Sequence, residues 1–464
     1  MARKTNSAGS SNGLRKDVLS VLGVLKVATT DQIQRIASPH LSYRHTDKKT
    51  PSERKTARTA SHGGAFADLR DEGLAQNGGT TSGGESLRHL TEKGMKAAAY
   101  ALDRPAWEMG GTGSGAGSSG ADHLMSVNET MISLLRPKPD LLQLADDEPE
   151  EALQAARDAV AAPAGVGTLA DYMTEVALPA TGTWTSPGKG GAQADLVLTA
   201  PEDDIPLLFV EVDNCHMSAQ KLAGKIAQYR AFFERPATRT QSAQMPVNPM
   251  WRARWQAPAA HDWENPHPPV LFVFNRLGER NPDTVIPAVE KLALEHWAGI
   301  RYQDHTRYSG KIPVVVTGFH MLREHGPRGQ IFRRFGRDGY QSLHDAIGNP
   351  RRDTAVIRQR EAARAEDQRK KELLAQEERE RQEWKEDRAR QKDAAWPCPT
   401  CGRLTWPEHR GSDGQWESSP DRGDDCRPCA GYKERDRKLA EERAAMEAEA
   451  KREAKKNGLF GFLR

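Results

Sequence analysis

The sequence predicts an α+β protein built from several domains, and three observations lead to that prediction. A chain of 464 residues suits about two or three domains. Segments with strand or helix periodicity fall mainly between residues 121 and 322, whereas long polar segments elsewhere account for the mean hydropathy of −0.74. Two C-x-x-C pairs lie near the end of the chain. We therefore expect compact domains separated by polar stretches.

The first 105 residues contain helices and a hairpin in the order of a winged helix-turn-helix domain, which we place at residues 14–105. The predicted segments are helices at Leu14–Lys26, at Asp31–Ala37 with Thr30 as N-cap, at residues 51–72 and from Thr91, with a Gly-rich hairpin at residues 77–85 and a strand at Ser86–Leu90. Helices followed by such a hairpin favour a DNA-binding domain.

Positive charge is concentrated in the first 100 residues, which hold 16 Lys or Arg against 9 Asp or Glu. This asymmetry is expected where a protein contacts nucleic acid. In a winged helix the third helix enters the major groove and the wing contacts the backbone. The basic residues at these positions are Arg54, Lys55 and Arg58, with Arg88 in the wing. We expect them to bind double-stranded DNA; in the alternative, a module for protein interaction, they are solvated.

Residues 106–120 include GGTGSGAGSSG, which has the composition of a flexible linker. The glycines do not form a phosphate-binding loop, because the Lys-Ser/Thr ending of that loop is missing.

A second domain is predicted over residues 121–345, with helices and strands in the order α-β-β-β-α-β-α-β. The segments are a helix at Ala121–Leu135, strands from residues 171, 194 and 206, a helix from residue 218, a strand at Val270–Asn275, a helix at Thr284–Trp297 and a strand at Ile312–Thr317. Glu129 in the first helix is a candidate neighbour of a metal site in this domain. The order predicts an α/β core.

Three acidic residues of this core suit a metal site. Asp195 lies in the second strand, and Glu211 and Asp213 end the third strand with side chains on one face. The next helix carries Lys225, with Gln228 and Tyr229 on the same helix face. Carboxylate oxygens are the ligands that Mg²⁺ prefers. In the alternative, the two acids merely end a strand and the lysine is solvated.

The set Asp195, Glu211, Lys225 resembles the PD-(D/E)xK nuclease superfamily, and with it a restriction-endonuclease-like core. The resemblance implies that Asp195 and Glu211 bind Mg²⁺ or Mn²⁺, that Asp213 assists, and that Lys225 stabilises the nucleophile. Gln228 and Tyr229 would orient DNA or brace the helix. In the ordinary motif the lysine stands two residues after the glutamate, where this chain has Asp213; in some branches it lies on the following helix. An inactive core of this kind can also serve as a DNA-binding platform.

The front of the chain also resembles the replication-relaxation family of actinobacterial chromosomes and plasmids. The matching features are the N-terminal winged-helix pattern, Asp122–Asn128 (DHLMSVN), the Ala194-Asp195 strand, and Glu211–Asp213 followed by Lys225–Tyr229. The resemblance covers residues 14–235. It implies a DNA role in plasmid replication, relaxation or conjugative transfer, with double-stranded DNA and replication or transfer proteins as partners.

Two further basic segments are candidates for nucleic-acid contact. Met250–Trp255 (MWRARW) lies in a Pro-rich insertion, where its tryptophans either stack on unpaired bases or anchor the loop to the core. A second cluster follows the last strand and contains Arg328, Arg333, Arg334 and Arg337.

The last third of the chain is expected to contain a charged helix at residues 353–395, a zinc ribbon at residues 396–432 and a charged helical tail at residues 433–464. The four cysteines Cys398, Cys401, Cys426 and Cys429 form two C-x-x-C pairs that suit a structural zinc ion. Since no apolar run reaches the roughly 18 residues of a membrane span, we expect no stable membrane insertion and a cytoplasmic protein with reduced thiols.

Two functions remain open at this stage. The protein is either a Mg²⁺-dependent endonuclease that nicks DNA, or a non-catalytic DNA-binding accessory factor with an inactive nuclease-like domain. The sequence does not determine the oligomeric state or the DNA target.

Overall fold

The structure is a computed structural model in which the chain forms two compact units, Met1–Arg352 and Asp353–Arg464. The described residues are 9–113, 120–144, 148–237, 248–255, 266–301, 306–348, 354–406, 408–410, 416–418 and 421–460. Helices and a mixed sheet dominate the first unit, so the prediction of a mixed α and β architecture is confirmed.

The N-terminal part of the first unit contains four helices and a three-stranded antiparallel sheet of order β1-β3-β2. The elements are α1 (Asn12–Leu25), β1 (Val27–Thr29), α2 (Thr30–Ala37), α3 (Pro51–Asp71), β2 (Ala75–Thr80), β3 (Ser86–Leu90) and α4 (Glu92–Ala101). Helix α1 is buried on all sides from Val18 to Leu25, because its second half carries almost no polar side chain. The helices and strands expected here are all present.

The N-cap of α2 is Thr29 rather than the expected Thr30. Thr29 ends β1 with an extended backbone, and its hydroxyl oxygen accepts the N–H of Gln32 at 3.2 Å. The Gln32 side-chain oxygen in turn accepts a hydrogen bond from the Thr29 N–H, which completes a capping box. Thr30 is already helical and lies one residue too far along the chain to cap.

The larger part of the first unit is a six-stranded sheet of order β11-β10-β7-β6-β5-β4 flanked by helices. Its elements, with a separate pair of short strands β8 and β9, are α5 (Ala121–Leu135), α6 (Glu150–Ala161), β4 (Tyr172–Leu178), β5 (Ala192–Ala200), β6 (Ile205–Asp213), α7 (Ala219–Glu234), β7 (Val270–Phe274), α8 (Pro282–Leu292), α9 (Leu294–Trp297), β8 (Ile300–Arg301), β9 (Thr306–Arg307), β10 (Val314–Gly318), α10 (Phe319–His325), β11 (Arg333–Arg334) and α11 (Leu343–Ile347).

Strands β6, β7 and β10 are parallel, whereas β4–β5, β5–β6 and β10–β11 are antiparallel pairs. Strand β7 is buried throughout, which explains its unbroken apolar sequence VLFVF. The helix α6 was not expected, because only Ala152 and Ala156 of this acid-rich segment are buried and alanine gives a weak apolar signal.

The N-terminal helices pack against the six-stranded sheet within this unit. The Asn128 amide donates to the Val27 carbonyl oxygen at 2.8 Å and to the Gln32 amide oxygen at 3.0 Å. The Thr174 hydroxyl of β4 donates to the Val24 carbonyl oxygen at 2.6 Å. Residues 106–113 of the segment expected to be a linker are described, with Met109 buried; residues 114–119 lie outside the described part of the chain.

The tryptophans of the insertion are core residues. Trp251 and Trp255 are 3% and 4% exposed, and Trp255 packs edge-to-face on Phe209 of β6 at 5.3 Å between ring centroids. Arg254 stacks on the Trp255 ring at 5.0 Å. Burial leaves these rings no free face for a base, so stacking of Trp251 and Trp255 on unpaired bases is wrong and the anchor alternative holds.

The arginine cluster after β10 makes internal contacts instead of a free basic surface. Arg334 is 4% exposed, and it donates to the carbonyl oxygens of Ala346, at 3.1 Å, and of Gly348. The remaining three residues also have internal partners: Arg333 pairs with Glu290, Arg337 donates to the Asp345 carbonyl oxygen at 2.9 Å, and Arg328 lies 3.8 Å from the Asp203 carboxylate.

In the residues of the second unit that the structure describes, there are two long charged helices and four short strands. The elements are α12 (Thr354–Ala394), β12 (Trp396–Pro397), β13 (Leu404–Thr405), β14 (Glu408–Arg410), β15 (Trp416–Ser418) and α13 (Arg427–Phe460). Helix α13 begins six residues before the expected start at residue 433, and its first turn contains Cys429 of the second cysteine pair. Within the described part of the chain, no helix has both the length and the apolarity needed to cross a bilayer.

Candidate metal centre

Strand register places three acidic residues side by side on β4, β5 and β6. The pairs Thr174↔Leu196 and Val176↔Ala194 put Glu175 opposite Asp195. The pair Leu196↔Val210 puts Asp195 next to Glu211 on the other side. Glu175 has a positive φ of 54°, a conformation that non-glycine residues rarely adopt. Backbone strain of this kind persists only where the surrounding structure holds it.

Asp195 is the central member of this row, and it is 6% exposed. One carboxylate oxygen accepts the backbone N–H of Val212 at 2.7 Å, because the β5–β6 ladder ends at Val210 and leaves that N–H without a strand partner. The other oxygen lies 3.1 Å from Nε2 of His123 in the first turn of α5. Burial opposes ionisation of Asp195, but His123, Lys225 and the Val212 N–H together lower its pKa. Asp195 is therefore held as a carboxylate.

Glu175 has one carboxylate oxygen paired and one unpaired. Oε2 accepts a hydrogen bond from the Gln193 amide. Oε1 is buried and has no hydrogen-bond partner among the described residues. Burial, together with the charge of Asp195, raises the pKa of Glu175. Ligand atoms of His123, Glu175 and Asp195 all lie within 4.8 Å of one another. A buried carboxylate oxygen without a partner costs free energy that a cation would offset.

Glu211 is fully buried, and both of its carboxylate oxygens are occupied by residues of α7. The Lys225 ammonium donates to Oε2, and the Tyr229 hydroxyl donates to Oε1 at 2.7 Å. Burial and the charge of Asp195 outweigh these contacts and raise the pKa of Glu211 to about 8. Lys225 thus reaches the acidic row from the helix that follows β6.

The remaining two residues of the expected site lie at its edge. Asp213 is 2% exposed and accepts the Met217 N–H at 3.5 Å, in the turn between β6 and α7; burial raises its pKa. Gln228 is exposed on α7. Glu129 does not approach the acidic row, because it binds Arg35 and Gln32 of α2.

Sequence reasoning missed His123 and Glu175 as members of the site. His123 belongs to the DHLMSVN segment, and Glu175 is a lone acid inside an otherwise apolar strand. Both signals were visible in the sequence, but the contacts with Asp195 depend on strand register and on the packing of α5.

The basic side chains expected to contact DNA lie on α3 and on the β2–β3 hairpin, and each has an internal partner. Arg54 is exposed and donates to the Lys48 carbonyl oxygen at 3.0 Å. The other three contact neighbouring elements: Lys55 pairs with Glu85 of the hairpin, Arg58 pairs with Asp31 of α2, and Arg88 lies over the Phe66 ring at 4.4 Å.

The hairpin turn also contacts the helix that carries His123. The Ser82 hydroxyl donates to the Asp122 carboxylate at 2.9 Å. Asp122 immediately precedes His123 in the first turn of α5. The hairpin therefore contacts Asp122, and the next residue, His123, contacts Asp195 of the acidic row.

A second group of metal-ligating side chains lies in the second unit. Sulfur atoms of Cys398, Cys401, Cys426 and Cys429 all lie within 4.8 Å of one another. The Cys426 N–H donates to the Cys398 sulfur at 3.3 Å. Burial opposes ionisation of Cys398, but backbone N–H groups of Cys426, Cys401 and Thr400 lower its pKa to about 7. Four clustered cysteines are consistent with a structural zinc ion.

The fold and these two groups define a mixed α/β protein with an acidic row in a six-stranded sheet and a separate four-cysteine cluster. Residues 19–247 match the model of the replication-relaxation family. The matched segment runs from α1 past the end of α7 and covers just under half of the chain, so over this part the chain is similar to that family. No curated protein and no solved structure matches the chain.

Proposed function

We propose that the protein is a DNA-binding factor of plasmid or mobile-element replication, relaxation or transfer, and that its core is a metal-dependent endonuclease that nicks DNA. One observation carries the proposal: Asp195 lies between Glu175 and Glu211, and Lys225 of the following helix contacts Glu211. The family match supports the DNA role.

The residues of the acidic row have distinct roles in this proposal. A divalent cation, Mg²⁺ or Mn²⁺, would be bound beside Asp195 and would neutralise charge that develops on a scissile phosphate. Lys225 brings a positive charge to the same place, and its contact with Glu211 sets its position. The Tyr229 hydroxyl fixes the second oxygen of Glu211. Asp213 supports the turn that starts α7, and exposed Gln228 is available to DNA.

The N-terminal elements would bind the duplex as a winged helix. Helix α3 presents Arg54 to solvent, and the hairpin carries Arg88. When DNA binds, Lys55 and Arg58 would exchange their carboxylate partners Glu85 and Asp31 for phosphates of the DNA backbone. The contact between Ser82 and Asp122 would then place bound DNA beside the acidic row.

The four cysteines would hold zinc as a ribbon with no open coordination position. Such a closed site stabilises a small fold and supplies no reaction chemistry. We assign the second unit a structural or partner-binding role in DNA handling.

A second candidate function has its own supporting observation. Both oxygens of Glu211 are engaged by Lys225 and Tyr229, and Asp213 occupies the ordinary position of the motif lysine. A core whose glutamate is fully paired also suits a non-catalytic accessory factor that binds DNA and recruits replication or transfer proteins.

Nicking of supercoiled plasmid separates the two functions. The full chain and an Asp195→Ala/Glu211→Ala double variant are incubated with plasmid and Mg²⁺ or Mn²⁺, and binding is measured in parallel by mobility shift. Glu202→Ala, at an exposed acid in the turn between β5 and β6, is the matched control. Metal-dependent nicking by the parent and the control, but not by the double variant, supports the enzyme. Tight binding without nicking by any of them refutes it.

A further inference from the structure

We propose that His123, Glu175 and Asp195 together form the divalent-cation site of the core, and that the imidazole ligand makes it prefer Mn²⁺ to Mg²⁺. This inference rests on the proposed function for its biological purpose, but it concerns metal binding, which is measured without DNA. It replaces the expected pair Asp195 and Glu211 with a set of three ligands in which Glu211 is absent.

The spacing of the three side chains suits one ion. Nitrogen and carboxylate ligands lie about 2.1 Å from a transition-metal ion, so two ligands of the same ion are at most about 4.2 Å apart. The ligand atoms here lie within 4.8 Å of one another. A change of at most about 0.6 Å in the separation of any pair therefore brings that pair within reach of one ion.

The hydrogen bonding of the three residues also favours a bound cation. The Oε1 atom of Glu175 is buried and has no hydrogen-bond partner within the described part of the chain, and a second carboxylate, that of Asp195, lies nearby. Nε2 of His123 faces Oδ1 of Asp195 at 3.1 Å, and the second Asp195 oxygen is fixed by the Val212 N–H. A buried carboxylate oxygen, an imidazole nitrogen and an oriented carboxylate are thus brought into one cluster. A cation there satisfies all three groups.

The ligand set determines which cation is preferred. Mg²⁺ selects oxygen ligands and gives up its water reluctantly, whereas imidazole suits first-row transition metals. Mn²⁺ is the member of that series that also accepts carboxylates readily. We expect Mn²⁺ to bind at least about tenfold more tightly than Mg²⁺.

Glu211 provides the discriminating comparison. Its oxygens are occupied by Lys225 and Tyr229, so the proposed site does not need it. In the alternative drawn from the motif alone, Asp195 and Glu211 hold the metal, and His123 only orients Asp195. The two arrangements differ in which substitution weakens metal binding.

The test measures Mn²⁺ binding to the full chain loaded with a single zinc ion per chain for the four cysteines, from loss of the free-ion signal in electron paramagnetic resonance. We expect the parent to bind one Mn²⁺ ion per chain. The affinity for Mn²⁺ should be at least about tenfold lower in His123→Gln and in Glu175→Gln. Glu211→Gln and the control Glu202→Gln are expected to stay within about threefold of the parent. Circular dichroism checks that each variant is folded; His123, with a side chain 40% exposed, tolerates substitution and keeps the test decisive.

Parent-like affinity in His123→Gln overturns the inference, as does a loss confined to Glu211→Gln. Displacement of Mn²⁺ by an equal concentration of Mg²⁺ overturns the preference. The outcome is separable from the proposed function: Mn²⁺ binding by the three residues without plasmid nicking supports the site and refutes only the endonuclease.

Discussion

Lys26 offers a quantitative test of how the N-terminal helices pack on the sheet. This residue follows the last turn of α1, is 8% exposed, and donates from its ammonium to the carbonyl oxygens of Gly23, at 2.8 Å, and of Met109. Burial, with repulsion from Arg104 and Arg254, lowers its pKa from 10.5 to about 7. The shift is expected only if the junction excludes water.

The sign of the effect follows from proton binding in the two states. The unfolded chain keeps the Lys26 proton up to about pH 10.4, whereas the folded chain releases it near pH 7. Below pH 7 the folded state carries the full cost of the buried charge, and that cost disappears as pH rises toward 10. With these two pKa values, Lys26 makes the free energy of unfolding rise by about 2 kcal/mol between pH 7 and pH 9.

Urea unfolding of the parent and of Lys26→Met at pH 7, 8 and 9, followed by tryptophan fluorescence and circular dichroism, measures this rise. Methionine keeps the length of the side chain and removes the titrating group. The difference between the two proteins should change by about 2 kcal/mol in favour of the parent as pH increases. Identical pH dependence in both proteins would mean that Lys26 keeps its ordinary pKa and that the junction is open to water.

Three further predictions concern the backbone, the cysteine cluster and the DNA surface. Gly94→Ala should destabilise the protein by several kcal/mol, because a Cβ at this position would lie 1.9 Å from the Leu74 carbonyl oxygen. Gly63→Ala, at an open position inside α3, should instead stabilise the protein by about 0.5–1 kcal/mol. Thermal unfolding of both variants measures the two effects, and equal shifts of the melting temperature would contradict the close packing at Gly94. Cys398→Ser should reduce bound zinc from one ion per chain to none, as measured by elemental analysis; retained zinc excludes Cys398 as a ligand. Arg54→Ala should weaken duplex binding and lower the slope of log affinity against log salt by about 1, while Arg157→Ala on α6 should not; equal slopes remove Arg54 from the interface.

Local sequence signals predicted the helices and strands of the first unit well. The apolar spacing of α5 gave its bounds as Ala121–Leu135, which are the bounds observed. Helix α3 begins at Pro51, as predicted, and α4 begins at Glu92, one residue after the predicted start at Thr91. Helix α6 escaped detection because its buried positions are alanines. Periodicity therefore locates elements whose buried side chains are large.

The candidate site was predicted only in part, for a physical reason. Asp195, Glu211 and Lys225 lie close along the chain, within one strand-strand-helix unit, so their proximity follows from local structure. His123 lies 72 residues from Asp195 and joins it only when α5 packs on the sheet. Glu175 depends on the β4–β5 register. The internal contact of Arg334 was not predictable for a related reason, because arginine cannot be assigned to solvent or to a buried contact from sequence alone.

If the row of carboxylates around Asp195 cleaves DNA with a divalent cation, as we propose, the rate of nicking depends on the charge of Asp195. Nicking of supercoiled plasmid is measured with saturating full chain in Mn²⁺, for the parent and for Asp195→Asn, which keeps the shape of the side chain and removes its charge. We expect nicking by the parent and a rate at least about 100-fold lower in Asp195→Asn, with DNA binding unchanged. Equal rates in the two proteins, or no nicking by a parent that binds both Mn²⁺ and DNA, would contradict the proposal.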